Sequence, residues 1–366
     1  MPLSKIVAKS VTDDTITTDQ IADNSVHGRR NLVINGAMQV AQRGDVTGIT
    51  GANVYGGADR FATNGTGYGT VSLVQEADAP EGFAESQRVK FTTARSTTAA
   101  GDHFIIGTRL EGQNLQRFKK GTSNAESMTV SFYAKASQAT TIQLELFDSD
   151  NTRHAGKEFA ITTSWARYSY TFAGDTTGAF TNDNGLSMYV FFWLGAGTTW
   201  TSGTNPDGSW IADVNNRRVH SDVGTTFMDT LNAEFNLTGV QLEVGDKATP
   251  FEHRSFGEEL TLCERYFQKY ECSAQQLIYF EGNTANHKFT HTNIYRKMRA
   301  TPTVSLSTNF GHGGGAGGTI NSVTTQSIGP DRVSYRVGFT SAHGSSYELR
   351  HSDSFDGDVA SYSAEL

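Results

Sequence analysis

The sequence has only two cysteines among its 366 residues, too few for a disulfide framework. We expect Cys263 and Cys272 to lie more than about 10 Å apart, because nine residues separate them along a predicted helix. The longest apolar run, MYVFFWLGA, is far too short to span a bilayer. The first residues, MPLSKIVAKSVTDD, lack the apolar stretch of a secretion signal. These absences predict a protein that matures in the cytoplasm, without disulfide chemistry and without membrane insertion.

Basic runs and catalytic motifs are also missing. The formal net charge is -8 and no run of Lys and Arg is present, which argues against nucleic-acid binding because phosphate recognition needs a concentrated basic surface. The sequence contains no Ser nucleophile elbow, HExxH motif, P-loop or kinase motif set. A glycosidase needs two carboxylates at a defined separation in space, and nothing singles out Asp207, Asp213 or Asp222. We therefore expect no enzymatic activity.

Glycine, by contrast, is abundant: 38 residues against 6 prolines, with many Thr, Ser and Asn residues besides. Thr, Val, Tyr and Phe favour half-buried strands, whereas Gly, Asn and Asp supply turns. This composition is typical of an all-β protein with many short strands. The length of the chain predicts two or three domains.

Branched apolar residues recur at a strict interval of five near the N-terminus: Ile6, Val11, Ile16, Ile21 and Val26. An interval of five is neither a helix period nor a strand period. Such a polar segment cannot bury a core alone, but it can wind around copies of itself or lie on another protein. A disordered tail is the alternative interpretation. The regular spacing favours an ordered anchor over residues 1–30.

Nine segments have the alternation or the β-branched and aromatic content of strands. They are 69–75, 87–93, 103–111, 127–137, 140–148, 157–162, 165–173, 186–195 and 234–245. The polar, glycine-rich connections between them predict a two-sheet sandwich of the jelly-roll type over residues 31–255. The longest loop-like insertion, 197–232, contains the turn signal NPDG at 205–208.

A helix is predicted at 256–270. Ser255 and Glu258 have the spacing of a capping box, in which the hydroxyl accepts a backbone N–H and the carboxylate reaches back. Apolar residues follow at helical spacing and form one stripe: Phe256, Leu260, Cys263 and Phe267, with Tyr266 and Tyr270 beside them.

The residues before this helix form an ionisable cluster, TPFEHRSFGEE, that resembles a metal or catalytic site. However, Glu252 and His253 are adjacent, and adjacent residues on an extended chain point to opposite sides. Glu259 suits the field at a helix N-terminus, and Arg254 can pair with Glu258 or Glu259. We interpret the cluster as a structural joint.

Residues 271–366 return to strand-like patterns and predict a second, smaller β domain. Within it, Gly313, Gly315 and Gly318 have the spacing of a dinucleotide fingerprint, but no helix pattern follows them to bind a phosphate. We interpret this segment, which His312 precedes, as an exposed tip loop whose bare backbone a ligand can approach.

Two tryptophans, Trp200 and Trp210, lie in the polar insertion, where both are rarely fully buried. Flat aromatic faces stack on sugar rings, and Asn205 and Asp207 can form hydrogen bonds with sugar hydroxyls. These four residues are a candidate glycan site. The alternative is that the tryptophans cap the end of the sandwich.

The segment FDSDN, residues 147–151, has acidic residues at alternate positions, as calcium loops do. It lacks the glycine and the distant glutamate of an EF-hand, so we interpret it as a strand-ending turn. No metal or cofactor site is predicted, although a structural calcium ion elsewhere in the sandwich is compatible with the sequence.

Several stretches resemble a family of bacteriophage tail-fibre and related virion-fibre proteins. They are NLVINGAMQVAQRG followed by ADRF, then VSFYAKAS, SWARYSYTF and LTGVQLEVGDKATPFEHRSFGEELTLCERYFQK. The resemblance covers about residues 31–268, and its middle part is similar to carbohydrate-binding-module-like jelly rolls. The N-terminal repeat resembles the repeats that precede such domains, and YRKMRATPTVSLS resembles the start of their C-terminal domain.

The resemblance implies a virion structural protein without catalytic residues, attached by its N-terminus to tail or capsid proteins and facing the host with its C-terminus. The expected architecture is all-β: a virion-anchoring segment at 1–30, a jelly roll at 31–255, a linker helix at 256–270 and a binding tip at 271–366. The expected function is a tail fibre that recognises a host surface glycan or an outer-membrane receptor. The alternatives are a head fibre, a purely architectural tail component or a glycan-degrading tailspike, although the repeats of a long β-helix are missing.

The five-residue repeat and the resemblance together predict a homotrimer. Light scattering of the full-length protein should give the mass of three chains. A monomer mass would contradict this prediction.

Overall fold

A computed structural model describes residues 29–95, 99–273, 276–280, 286–293, 296–306, 310–313, 320–339, 347–351 and 356–366. The anchor residues Ile6, Val11, Ile16, Ile21 and Val26 lie outside these ranges, so their role stays a prediction. Gly315 and Gly318 of the expected tip loop also lie outside the described residues.

Twelve strands precede the linker helix in the described chain. They are β1 (Val46–Ile49), β2 (Ala62–Thr66), β3 (Thr70–Glu76), β4 (Ser86–Thr93), β5 (His103–Glu111), β6 (Met128–Ala136), β7 (Thr140–Asp148), β8 (Arg153–Ile161), β9 (Ala166–Phe172), β10 (Leu186–Ala196), β11 (Ile211–Ala212) and β12 (Glu234–Val244). All nine predicted strands are confirmed within a few residues. The three that the sequence did not reveal are β1, β2 and β11, which are short and lack alternating apolar residues.

The strands form two antiparallel six-stranded sheets. Sheet I has the order β1-β3-β4-β12-β6-β9, and sheet II has the order β11-β8-β7-β10-β5-β2. The fold is therefore all-β, a two-sheet sandwich of the jelly-roll type, as the sequence predicted. The described chain also contains short helices. They include α1 (Thr198–Thr201) and α2 (Thr226–Asp229) in the insertion and the linker helix α3 (Phe256–Glu264).

The core lies between the two sheets because every second residue of a strand points to the same face. Sheet I contributes fully buried residues such as Phe91, Phe132 and Phe235, and sheet II contributes residues such as Leu144 and Phe192. Aromatic rings meet edge to face across the interior; the ring centroids of Phe132 and Phe192 lie 5.0 Å apart. This single apolar layer fixes which residues point outward from each sheet.

The linker helix is shorter than predicted: it ends at Glu264, and Phe267 already begins a strand. Two arginines explain this end, since the Arg60 guanidinium carbon lies 3.4 Å from the Tyr266 ring centroid and that of Arg43 lies 3.6 Å from the Phe267 ring centroid. These aromatic residues stack under cations of the sandwich instead of extending the stripe. The stripe also fails at its start, because Phe256 is 56% exposed.

The predicted helix cap is confirmed. The Ser255 Oγ accepts a hydrogen bond from the Glu258 backbone N–H at 3.3 Å. The Glu258 carboxylate pairs with Arg29 at 3.0 Å, which is not the reach back to Ser255 that a capping box implies.

The ionisable cluster before the helix is a joint, as expected. The Glu252 carboxylate accepts the Asn31 backbone N–H at 2.7 Å, and Arg254 pairs with Glu259 at 3.3 Å. Glu259 in turn accepts the backbone N–H of Asn35 at 2.5 Å. The carboxylates of Glu252 and Glu259 therefore connect residues 31–35, which begin the sandwich, to the linker that follows its last strand.

His253 belongs to an aromatic contact and not to a polar site. Its ring centroid lies 5.1 Å from that of Phe83 and 4.9 Å from that of Phe251. Burial lowers the pKa of His253, which favours the neutral ring in this apolar setting.

The FDSDN segment is the turn between β7 and β8, as interpreted from the sequence. The Asp148 carboxylate is fully buried and accepts hydrogen bonds from Asn151 at 2.9 Å, and it lies 2.6 Å from the Lys120 ammonium group. Lys120 also pairs with Asp175 at 3.0 Å. Burial opposes the charge of Asp175, but hydrogen bonds from Arg153 and Lys120 outweigh it and lower its pKa.

After the helix, the described residues form three antiparallel three-stranded sheets. The strands are β13 (Phe267–Ser273), β14 (Gln276–Phe280), β15 (Asn286–Asn293), β16 (Thr303–Leu306), β17 (Phe310–Gly313), β18 (Ile320–Ile328), β19 (Arg332–Phe339), β20 (Tyr347–His351) and β21 (Asp356–Ser363). Their orders are β13-β21-β16, β14-β20-β17 and β15-β19-β18. Strands thus continue towards the C-terminus in the described chain, and their separation into a second domain stays a prediction.

The C-terminal residues of the chain are attached to the sandwich. The Glu365 carboxylate pairs with Arg43 at 3.1 Å and with the buried Arg60. The Arg60 guanidinium also donates to the Arg109 carbonyl of β5 at 2.8 Å. None of the described helices has the length and apolar character needed to cross a bilayer.

Candidate functional site

Sheet II has an outer face that is as aromatic as its inner face. On β10, Val190 and Phe192 point into the core, so Tyr189, Phe191 and Trp193 point outward. Neighbouring strands continue this face with Phe147 on β7 and Ile105 on β5. These outward residues form a second apolar cluster that does not belong to the sandwich interior.

Strand register aligns three side chains of this face in one row, and a hydrogen bond adds a fourth. Tyr189 pairs with Arg109 of β5 on one side and with Phe147 of β7 on the other. Arg109 donates to the hydroxyl of Tyr55, which lies beside β2. We call Tyr55, Arg109, Tyr189 and Phe147 the aromatic row.

The three rings of the aromatic row are half-buried, so part of each ring faces solvent. Tyr189 stacks on Phe191 with a centroid distance of 4.6 Å and lies 5.9 Å from Phe147. Phe191 itself is only 6% exposed, because its ring lies over Gly107, where an added Cβ would come within 2.7 Å of the ring. The row is therefore a surface supported from below by packed aromatic residues.

The insertion 197–232 covers the rest of this face. Arg218 forms two hydrogen bonds with Glu145 of β7, at 2.9 and 2.8 Å, and Trp193 donates its indole N–H to the same carboxylate at 2.8 Å. The Arg218 guanidinium carbon lies 4.6 Å from the Phe147 ring centroid. The insertion thus ends beside the aromatic row and forms one of its borders.

Charges under the insertion are matched. Glu145 is fully buried, and burial opposes the charge on Arg218, but Glu145 outweighs this effect and raises the Arg218 pKa. His154 lies 3.4 Å from Glu145, yet burial lowers its pKa, which favours a neutral ring. Glu145 is therefore committed to an ion pair with Arg218.

The two predicted tryptophans occupy different places. Trp200 lies in α1, where its indole N–H donates to the Gly101 carbonyl at 3.1 Å and its ring lies 5.4 Å from that of Trp193. Trp210 donates to the Ala173 carbonyl at 3.0 Å and lies 5.4 Å from the Lys120 ammonium group. Both rings are half-buried, and these contacts agree with the capping alternative. Trp200 lies on the outer face of sheet II, whereas Trp210 packs against the main core.

Asn205 and Asp207 hold the insertion together. The Asn205 amide donates to the carbonyls of Arg217 and Arg218, each at 3.1 Å, and its side-chain oxygen accepts the Asp207 backbone N–H at 3.0 Å. The Asp207 carboxylate pairs with Lys157 of β8 at 2.5 Å. These contacts make the turn a structural element, while the Asp207 side chain stays 65% exposed.

His312 and Gly313 of the expected tip loop lie in β17, which pairs with β20. These two residues are therefore in strand conformation, and their role in ligand binding stays a prediction. The remaining glycines of that interpretation lie outside the described residues.

One group of potential metal ligands is brought together by the fold: the ligand atoms of Glu158, His220 and Asp222 lie within 4.8 Å of one another. The His220 Nδ1 lies 2.6 Å from the Glu158 carboxylate and accepts the Asp222 backbone N–H at 3.2 Å. The His220 backbone N–H donates to Gln143 at 2.7 Å, which fixes this turn.

Sequence reasoning did not identify the aromatic row. Its residues are far apart along the chain, and strand register together with the hydrogen bond between Arg109 and Tyr55 brings them together. A signal was present nonetheless: Tyr189 alternates with core residues in MYVFFW, and Phe147 follows the alternating Ile142, Leu144 and Leu146. Aromatic residues at the outward positions of a predicted strand were the sign of a second apolar face.

No protein-family model and no curated protein matches the sequence. Among solved structures, the chain is similar to the enzymatically active domain of tailspike protein 4 of bacteriophage CBA120, with 10% identity over 58% of this chain and 21% of that chain, and a TM-score of 0.31. It is also similar to a family 11 carbohydrate-binding module from Clostridium thermocellum in complex with a β-1,3-1,4-mixed-linked tetrasaccharide, with 11% identity over 56% of this chain and 98% of that chain, and a TM-score of 0.28.

A third similar structure is a sugar-binding protein from Bacteroides thetaiotaomicron, with 10% identity over 59% of this chain and 100% of that chain, and a TM-score of 0.32. The chain spans about a fifth of the tailspike domain's length. TM-scores of this size support no argument about function, so the function has to be argued from the geometry of the site.

We predict that Arg218→Ala destabilises the protein by about 3–5 kcal/mol, because it leaves the Glu145 carboxylate buried without its charge partner. Urea denaturation of the purified protein measures this free energy. Arg217→Ala is the matched control: Arg217 donates one hydrogen bond to the Thr204 carbonyl, so its loss should cost at most about 1.5 kcal/mol. Equal losses of stability in the two variants would contradict the conclusion that Arg218 is the charge partner that Glu145 requires.

Proposed function

We propose that this chain is a non-enzymatic, glycan-binding component of a phage fibre, and that it binds the sugar on the aromatic row. The observation that carries the proposal is a row of half-buried rings, Tyr55, Tyr189 and Phe147, on the outer face of a rigid sheet. Sugar rings present flat C–H faces, which pack on aromatic rings.

The setting of the row suits such binding. Tyr189 and Phe147 sit on the central strands β10 and β7, which neighbours on both sides hold in place. Rings supported by packed residues lose little conformational freedom when a ligand arrives, which lowers the free-energy cost of binding. Asn53, exposed at the edge, and the Arg109 guanidinium supply polar groups near the ring of Tyr55.

The insertion gives this surface a border. Arg218 lies over Phe147, and Trp200 belongs to the same outer face. Of the two tryptophans that the sequence singled out, Trp200 is therefore the better candidate for a sugar contact. Trp210, Asn205 and Asp207 support the insertion and act on this surface indirectly.

The fibre role is supported by the sequence resemblance and by the N-terminal repeat. The non-enzymatic role is supported by the pairing of Glu145, the buried carboxylate under the insertion beside the row, with Arg218. A carboxylate held in a two-point ion pair is poorly placed to donate or abstract a proton. We infer that the protein functions in the virion as an adsorption protein.

We predict that Tyr189→Ala weakens binding of the protein to host surface polysaccharide by roughly five- to thirtyfold, since it removes one stacking ring and its buried area. Biolayer interferometry with immobilised polysaccharide measures the dissociation constant. Tyr133→Ala is the matched control, because Tyr133 is half-buried on the outer face of sheet I.

Binding that is unchanged in Tyr189→Ala and in Phe147→Ala would refute the aromatic row as the glycan site. If neither variant changed adsorption of phage particles to host cells, an architectural role would be the better explanation. Shortened polysaccharide chains after incubation with the wild-type protein would refute the non-enzymatic proposal.

A chain that begins at Arg29, without residues 1–28, should fold and bind glycan but fail to enter phage particles, because the segment with the five-residue repeat is expected to contact the virion. Immunoblotting of purified particles measures incorporation. Full incorporation of the shortened chain would show that the virion contact lies elsewhere.

A further inference from the structure

A separate pocket lies where the sandwich meets the linker helix. Its volume is about 280 Å³, close to the lower limit of known ligand pockets. Three parts of the chain line it: the segment 29–34, the turns that follow β5, and the residues around α3. The lining side chains are Arg29, Asn31, Leu32, Ile34, Gln113, Asn114, Arg117, Arg254 and Leu262.

The pocket is cationic although the whole chain is acidic. Three arginines and no carboxylates line it, whereas the formal net charge of the protein is -8. Two of these arginines are already paired: Arg29 with Glu258 at 3.0 Å, and Arg254 with Glu259 at 3.3 Å. A local concentration of positive charge attracts an anion.

Arg117 is different from the other two. Its guanidinium donates to the Arg29 carbonyl at 3.0 Å, and no carboxylate in the described part of the chain pairs with it. The turn that carries it is fixed, because Leu115 and Phe118 on either side are fully buried in the core. The guanidinium keeps free N–H groups in the two-pronged geometry that binds a carboxylate.

The remaining lining residues suit a sugar ring more than a bare ion. Leu32, Ile34 and Leu262 are half-buried and offer an apolar surface, while Gln113 and Asn114 are exposed and can bond hydroxyls. Both of these polar residues lie within three residues of the end of β5, the strand that contributes Arg109 to the aromatic row, and the Gln113 side-chain amide also donates to Glu111 of that strand.

We propose that this pocket binds a carboxylated sugar unit, of the hexuronic acid type, with Arg117 holding the carboxylate. The proposal rests on the glycan-binding function above and names the class of glycan: an acidic polysaccharide. The ring of the acidic unit lies against the leucine and isoleucine side chains, and its hydroxyls contact Asn114 and Gln113.

Ligand-observed NMR titration of the full-length protein with two matched probes tests this proposal. Methyl β-D-glucuronide should bind roughly three- to fivefold more tightly than methyl β-D-glucoside, because Arg117 is exposed and solvent screens its attraction for a carboxylate. Arg117→Ala should weaken glucuronide binding by roughly three- to fivefold on the same grounds. Arg117→Lys keeps the charge but lacks the two-pronged guanidinium, so its affinity for the glucuronide should lie between those of the wild type and Arg117→Ala.

Arg332→Ala is the matched control, since Arg332 is exposed on β19 and the substitution changes the net charge by the same amount. Equal affinity for the two sugars, or unchanged glucuronide binding in Arg117→Ala, would overturn the proposal. Inorganic sulfate that binds as tightly as the glucuronide would overturn the sugar assignment and leave a general anion site.

The same probes separate this proposal from the proposed function. Tyr189→Ala should retain glucuronide binding, because Tyr189 does not line the pocket. If Tyr189→Ala bound polysaccharide like the wild type while Arg117→Ala lost the glucuronide, the aromatic row would fail and the pocket would stand. If instead Arg117→Ala bound the glucuronide like the wild type while Tyr189→Ala lost polysaccharide binding, the pocket proposal would fail and the aromatic row would stand.

Discussion

The face-to-face burial of two antiparallel sheets is the constraint on which the rest of this structure depends. Because side chains alternate along a strand, burial of Val190 and Phe192 between the sheets forces Tyr189, Phe191 and Trp193 to the outside of β10. A shift of one residue would exchange the two sets and expose the core. The outer face of sheet II is thus fixed by the interior, and the candidate glycan surface follows from it.

Charged residues decide how irregular segments lie on this scaffold. Arg218 and Glu145 fasten the insertion to β7, Arg254 and Glu259 fasten the linker to the start of the sandwich, and Arg60 stacks on Tyr266 beneath Glu365. Buried ion pairs contribute little net stability, but removing one partner is costly. Their effect here is positional, since each selects one placement for a segment that an apolar contact alone would leave free to slide.

The candidate binding surfaces sit next to such fastened segments. The aromatic row is bordered by the insertion that Arg218 holds, and the pocket around Arg117 is bordered by the helix that Arg254 and Glu259 position. In both places packed residues beneath the surface keep the exposed groups in place before a ligand arrives. The linker therefore forms one wall of the pocket around Arg117.

The long strands were predictable because their alternation and β-branched content repeat over several residues, as in Ile142, Leu144 and Leu146. β11, with two residues, carries no such signal, and it forms only because β8 offers a free edge. The helix was predicted too long for a related reason: Tyr266 and Phe267 fit a helical stripe, but contacts with Arg60 and Arg43 from distant parts of the chain outweigh this preference.

The sequence by itself determined the all-β class, the positions of nine strands, the helix cap at Ser255 and the structural character of the cluster before it. Each of these depends on local periodicity or on groups within a few residues of one another. Only the tertiary structure decided the aromatic row, the partner of Arg218 and the pocket around Arg117. These depend on strand register and on contacts between residues more than seventy positions apart, such as Glu145 and Arg218, which no local pattern encodes.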